Sequence, residues 1–108
     1  MDDIATIMLP EQVDSATSAS VETLLFSVIR PGGRVIVDGS SVTYMSAAGV
    51  RVLATAIHKA GELQARIAFC SFSGPAADCL LVSGFSQLFE VAGSVEEARK
   101  KLHSQRGG

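Results

Sequence analysis

Hydrophobic residues along the chain follow two different spacings, one typical of buried strands and one typical of amphipathic helices. Three short runs are mainly apolar, namely residues 4–9, 34–38 (RVIVD) and 65–72 (ARIAFCSF), and the second of them is rich in β-branched residues. Runs of this length and composition predict strands, and residues 90–92 predict a brief fourth one.

Helical spacing occurs in the segments between these strands. Residues 21–28 and 50–57 place apolar side chains at i, i+3, i+4 and i+7, and residues 76–82 form a shorter apolar segment. The last helix is predicted to start at Ser94, since Glu97 follows three residues later as in a capping box. Strands that alternate with helices predict βαβ units, and hence an α/β fold with a mainly parallel sheet.

The size and composition of the chain fit one compact unit. At 108 residues it is expected to form a single domain over residues 1–108, with a core from about residue 4 to residue 103. Apolar residues make up 47% of the chain and charged residues 19%, which is a globular and not a disordered composition.

Charge and the length of apolar runs exclude two classes of partner. A net charge of -2 argues against nucleic acid, because phosphate binding needs clustered lysine and arginine. No run approaches the roughly 20 apolar residues of a membrane span, and the first residues lack the pattern of a secretory signal. Cys70 and Cys79 are too far apart for a CxxC motif, so both are expected as buried small hydrophobes in a reducing compartment. The protein is expected in the cytoplasm.

The segment 38–49 (DGSSVTYMSAAG) is the first candidate functional site. A buried strand ends there, a polar loop follows and a helix then begins, so free backbone N–H groups are expected at the helix start. In parallel α/β folds, functional sites lie mostly where strands end and helices begin.

Catalytic motifs are missing from this segment and from the rest of the sequence. The sequence contains neither a phosphate-binding GxxxxGK[ST] loop nor a GxSxG nucleophile elbow. His58 and His103 lack a paired metal ligand, and Asp38 is a lone carboxylate of the kind that accepts hydrogen bonds in turns. The sequence therefore predicts a protein that is not an enzyme and that uses no metal or cofactor.

Two motifs resemble the STAS domain of bacterial anti-sigma factor antagonists. In the first, VIVDGSSVTYMSAAGVRVL, an apolar strand ends in Asp38 and a loop leads to a serine-containing helix start closed by Gly49. The second, LLVSGFSQLFEVAGSVEEARKKL, contains Gly84, Phe89, a short strand and a capped helix. Both stand in the expected order, and the likeness extends over residues 4–103.

This resemblance implies a STAS-like α/β fold with a four- or five-stranded mixed sheet and about four helices packed mainly on one side. It also implies a partner-switching role in transcription regulation. Members of the family bind an anti-sigma factor that is also a serine kinase, and phosphorylation of a serine at the helix start breaks that complex. The implied partner of this chain is an anti-sigma factor of the switch-kinase type.

Site residues are carried over from the resemblance position by position. Ala47 falls on the phosphoacceptor position, so the usual serine is replaced by a residue that cannot accept phosphate. The substitute acceptors that remain are Ser40, Ser41, Thr43 and Ser46, of which Ser46 is favoured because it is adjacent. Helical spacing turns Arg51 and Val52 away from the core, and an outward Val52 would suit a docking face. The residues expected to bind the partner are Asp38, Thr43, Met45, Ser46, Ala47, Ala48, Gly49 and Arg51.

Three further expectations follow from the same segments. Ser46 is expected to cap the helix through its hydroxyl, which is worth about 1 kcal/mol. A STAS accessory subunit of a transporter, or a small-ligand or nucleotide-binding module, is the second functional class, although the loop has no lysine or arginine for phosphates. The strand at residues 4–9 is expected as an exposed edge, because the usual leading hairpin of the family is shortened here. Exposed edges invite pairing with another chain, which allows a homodimer.

Overall fold

The computed structural model describes residues 4–84 and 91–104. Four strands form one sheet in the order β1-β3-β5-β6, and each pairing in it is parallel. A separate parallel pair joins β2 to β4. The strands are β1 (Ile4–Met8), β2 (Gln12–Val13), β3 (Arg34–Asp38), β4 (Tyr44–Met45), β5 (Arg66–Cys70) and β6 (Val91–Ala92).

Four helices cover the described part of the sheet from both sides. They are α1 (Ser18–Val28), α2 (Ala47–Glu62), α3 (Gly74–Val82) and α4 (Val95–Ser104). Buried residues of α1, α2 and α3 share one apolar cluster with β3 and β5, whereas α4 packs on the opposite side of the sheet. The predicted α/β class, with helices mainly on one side of the sheet, is confirmed.

The strand β3 shows why a continuous apolar run marks a central strand. Val35 and Val37 point into the cluster under α1 to α3, and Ile36 points to the side covered by α4. All three side chains are fully buried, because helices lie on both faces of a parallel sheet. The observed bounds of β3 equal the predicted range, whereas β1 and β5 are shorter than predicted.

The start of α4 confirms the predicted capping box, except that the Glu97 side chain bonds the residue before the N-cap. The Glu97 backbone N–H donates to Ser94 Oγ at 3.1 Å. Glu97 Oε1 accepts from the backbone N–H of Gly93 at 2.7 Å, one residue before the N-cap. The side chains of Phe89 and His103, both named from the sequence, lie outside the described residues.

The close approach of α2 to β2 depends on Gly49. An added Cβ at this position would overlap the carbonyl oxygen of Val13 and lie 2.8 Å from Val13 Cγ1. Real Cβ atoms do not come this close to backbone, so a larger residue would push the first turn of α2 away from β2. The closing glycine of the first motif thus has a packing role in the isolated protein.

We expect Gly49→Ala to lower the free energy of unfolding by about 1–3 kcal/mol, because the new methyl group has no space. Gly61→Ala is the matched control, since it lies in the same helix and its Cβ would meet nothing within 4 Å. Alanine favours a helix over glycine by up to about 1 kcal/mol, so the control should be neutral or stabilising. Urea denaturation measures both, and equal stability of the two variants would contradict this packing.

Candidate functional site

The loop after β3 is ordered by the carboxylate of Asp38. Asp38 Oδ1 accepts the backbone N–H of Ser40 at 2.9 Å, and the N–H of Val42 donates to the carbonyl of Gly39 at 3.0 Å. Asp38 is half-buried at the end of its strand. This arrangement is an Asx turn, so the carboxylate fixes the path of the loop.

Residues 43–46 are held in place by hydrogen bonds to β2 and to Glu11, the residue before it. The Glu11 carbonyl accepts from the backbone N–H of Thr43 at 2.7 Å and from Thr43 Oγ1 at 3.2 Å. The N–H of Ser46 donates to the carbonyl of Val13 at 3.0 Å. Because strand residues alternate between faces, Met45 points inward and is buried, while Tyr44 is 49% exposed.

The first turn of α2 places small side chains at the surface. Ala47 is the first residue of the helix and is exposed, and Ala48 is half-buried. Arg51 is exposed one turn later, on the same side of the helix as Ala47. Between residues 43 and 51 four side chains are exposed, and we call them the α2 entry surface. They are Thr43, Tyr44, Ala47 and Arg51.

Three predicted members of the segment lie inside the protein. Met45, Gly49 and Val52 are all buried, and the last is 8% exposed. The prediction of an outward Val52 is therefore wrong. The helix α2 contacts α1 and α3 as well as β4 and β5. Its buried face is therefore wider than the face expected for a helix that packs against one surface.

Ser46 occupies the N-cap position of α2 but does not cap it with its side chain. Its backbone is extended, with φ -106° and ψ 176°, and no side-chain cap hydrogen bond forms. Its Oγ atom is shielded from solvent and has no hydrogen-bond partner. The predicted hydroxyl cap is wrong, and the burial of the Oγ also leaves a kinase no access to it in this conformation.

Cys70 lies beside Asp38 in the sheet register and is fully buried. Burial raises the pKa of the Cys70 thiol above its ordinary value of 9.0. The Asp38 charge raises it further, against a lowering by a hydrogen bond with Ser71. The thiol is therefore neutral near pH 7, as expected for a buried small hydrophobe, and Cys79 is half-buried.

The described residues contain no group of three or more histidine, cysteine, aspartate or glutamate side chains that could hold a metal ion. His58 is exposed, and its Nε2 lies 3.3 Å from Glu62 Oε2 one turn along α2. Exposed pairs of this kind contribute little to stability. None of the helices within residues 4–84 and 91–104 is long and apolar enough to cross a membrane.

Comparison with known families identifies the class of protein to which this fold and surface belong. The family model of the STAS domain matches residues 1–98. The chain therefore belongs to the STAS domain family, as its two motifs indicated.

One related protein indicates which members of the STAS family this chain resembles. Over 87 residues the chain is 30% identical to BtrV of Bordetella bronchiseptica, whose name describes an anti-sigma factor antagonist. The alignment covers 80% of this chain and 75% of that protein. The resemblance to the anti-sigma factor antagonists is thus confirmed.

Two solved structures share the fold. A Thermotoga maritima protein described as an anti-sigma factor antagonist superposes with a TM-score of 0.82 at 12% identity, over 95% of this chain and 90% of that one. A sulfate transporter family protein from Wolinella succinogenes superposes with a TM-score of 0.78 at 14% identity, over 94% of this chain and 86% of that one. At these identities the likeness shows the fold alone, and regulators and transporters share it.

We expect Ser46→Ala and Ser94→Ala to differ in their effect on stability, although both replace an N-cap serine. Ser94→Ala removes a hydrogen bond to the Glu97 N–H and should cost about 1 kcal/mol. Ser46→Ala removes a buried hydroxyl without a partner and should be neutral or stabilising. Thermal or urea unfolding measures both changes. A loss at Ser46 as large as the loss at Ser94 would show that Ser46 caps α2.

We expect the stability of the wild type to fall as pH rises above 9.0, by more than that of Cys70→Ala. In this range the unfolded chain loses the thiol proton while the folded protein keeps it, because burial raises the folded pKa of Cys70. Unfolding free energies at pH values below and above 9.0 test this difference. Equal pH slopes for the two proteins would contradict it.

Proposed function

We propose that this protein is an anti-sigma factor antagonist that binds an anti-sigma factor of the serine-kinase type through the α2 entry surface. We further propose that phosphorylation at residue 47 does not switch this binding off. The observation that carries the proposal is the exposed methyl group of Ala47 at the first residue of α2. Membership of the STAS family supports the proposed class of partner, and the exposure of residues 43, 44, 47 and 51 supports the proposed surface.

The chemistry of the α2 entry surface supports close contact with a partner backbone. Ala47 presents a methyl group and Ala48 another, so little side chain stands between the helix start and a bound chain. Tyr44 adds an exposed aromatic ring, a residue type enriched where proteins bind each other. The exposed guanidinium of Arg51 fits a carboxylate or carbonyl group of the partner.

The absence of a hydroxyl at residue 47 bears on regulation. A phosphate at this position would add about -1.5 to -2 charges and three acceptor oxygens, which would oppose docking by repulsion and desolvation. Ala47 cannot accept a phosphate, and Ser46 presents a buried oxygen. We therefore propose a surface that stays competent for binding while the kinase is active.

Other expectations from the sequence remain predictions. These are a protein without catalytic activity or cofactor, located in the cytoplasm. A transporter accessory role stays an alternative, because the described structure shares its fold with a transporter family protein. The experiments below test binding to the anti-sigma factor against binding of a nucleotide, which belongs to the same alternative class.

We expect Ala47→Asp to weaken binding to the switch-kinase anti-sigma factor about tenfold or more, measured by calorimetry. The stability of the fold should not decrease, because a negative charge in the first turn of a helix interacts favourably with the helix dipole. Gln64→Glu is the control, since it adds the same charge to an exposed side chain beyond the opposite end of α2. Equal affinity of Ala47→Asp and Gln64→Glu would contradict docking at residue 47.

We expect Ala47→Ser to restore the switch. Incubated with the kinase and ATP, this variant should gain one phosphate by mass spectrometry and leave the complex, while the wild type stays bound without phosphate. Phosphorylation and release of the wild type would contradict a permanent binding state. If neither form binds the anti-sigma factor and nucleotide raises the melting temperature instead, the ligand-binding alternative is favoured.

A further inference from the structure

The strand β1 is an open edge of the sheet. It pairs with β3 on one side, and within the described residues no strand lies beyond it on the other. Its five residues, IATIM, carry no charge and no proline, which are two of the features that protect an edge strand from pairing. The opposite edge strand, β6, has two residues and offers far less backbone. The edge of β1 therefore has unused pairing capacity.

The direction of the free backbone groups on β1 can be read from one hydrogen bond. The N–H of Leu9 donates to the carbonyl of Asp38 at 3.0 Å, so residue 9 directs its backbone toward β3. Backbone direction alternates along a strand, so Ala5 and Ile7 also face β3. The N–H and C=O groups of Ile4, Thr6 and Met8 then face outward.

We propose that β1 pairs antiparallel with β1 of a second copy of this chain, with the two-fold axis at Thr6. In this register Thr6 lies opposite Thr6 of the second copy, and Ile4 lies opposite Met8. Residues with outward-facing backbone thus meet one another along the whole strand, and each opposed pair can exchange two hydrogen bonds. A shift by one residue would break this match, since an outward residue would face an inward one.

The side chains on β1 fit the same arrangement. Ile4, Thr6 and Met8 lie on the face of the sheet to which α4 belongs, yet α4 packs on β3, β5 and β6. Thr6 is exposed, and Met8 is 56% exposed. In the proposed pair, Met8 would contact Ile4 of the second copy and the two Thr6 side chains would be neighbours. No like charges meet, because the strand has none.

The pairing would join two four-stranded sheets into one and would leave the α2 entry surface free. Antiparallel strands point in opposite directions, so the carboxyl ends of the two sheets would face away from each other. Each copy carries its α2 entry surface at that end, after β3. The dimer would therefore offer two separate docking surfaces, and its formation does not depend on the function proposed above.

Sedimentation equilibrium of the full chain over a wide concentration range tests this proposal. The wild type should convert from monomer to dimer as concentration rises. Thr6→Lys should weaken the dimer about tenfold or more, because two lysines would meet at the axis. Thr23→Lys is the matched control, since it makes the same substitution at an exposed position of α1 and should leave the dimer unchanged.

A charge exchange at the axis gives a second measurement. Thr6→Glu alone should weaken the dimer to a similar degree, whereas an equal mixture of Thr6→Glu and Thr6→Lys should dimerise more strongly than either variant alone, because opposite charges then meet. Circular dichroism checks that each variant is folded. A wild type that stays monomeric, a dimer insensitive to Thr6→Lys, or a mixture that stays monomeric would each overturn the proposal. Loss of anti-sigma factor binding by Thr6→Lys, with a monomeric wild type, would assign the edge to that partner instead.

Discussion

The contact between the Val13 carbonyl and the first turn of α2 is the constraint on which the proposed docking surface depends. This oxygen accepts the Ser46 N–H at 3.0 Å and leaves no space for a side chain at Gly49. The helix start is thereby held against β2 at two positions three residues apart, Ser46 and Gly49. Because the register of α2 is fixed there, Met45 must point inward and Ala47 outward. If α2 began farther from β2, Met45 would no longer be held inward and Ala47 outward.

This constraint bears on how the proposed docking surface, which consists of a few mostly small side chains, could bind its partner specifically. Its first turn belongs to a helix of 16 residues whose inner side is buried against the sheet and two neighbouring helices. Because this turn is packed against its neighbours, we expect that a partner would have to order little of the surface on binding. The loop before it is held by the Asp38 turn and by the Glu11 carbonyl. Small side chains on a well-packed helix allow a partner to approach closely. A flexible loop would lose more conformational entropy on binding.

The sequence predicted those parts of the fold that leave a long pattern. The run at 34–38 was predicted with its observed bounds, because its three central residues are buried on both faces and apolar, and a charged residue stands at each end. The pair of β2 and β4 was not predicted, since two-residue strands have no readable period. Val52 was placed outward because helical spacing describes one buried wall, whereas α2 has neighbours on several sides. The hydroxyl cap predicted at Ser46 does not form, because a cap depends on side-chain orientation, which the sequence does not specify. Here the Oγ atom is buried without a partner, and the backbone N–H of Ser46 donates to the Val13 carbonyl.

The central claim is that the partner docks on the exposed residues at the start of α2. Amide NMR spectra of the isotope-labelled protein, recorded during titration with the unlabelled anti-sigma factor, test it most directly. The account predicts that the largest changes fall on residues 43–51, with smaller changes on α4 across the sheet. Changes centred on α4 or on the far end of α2, with residues 43–51 unaffected, would contradict it.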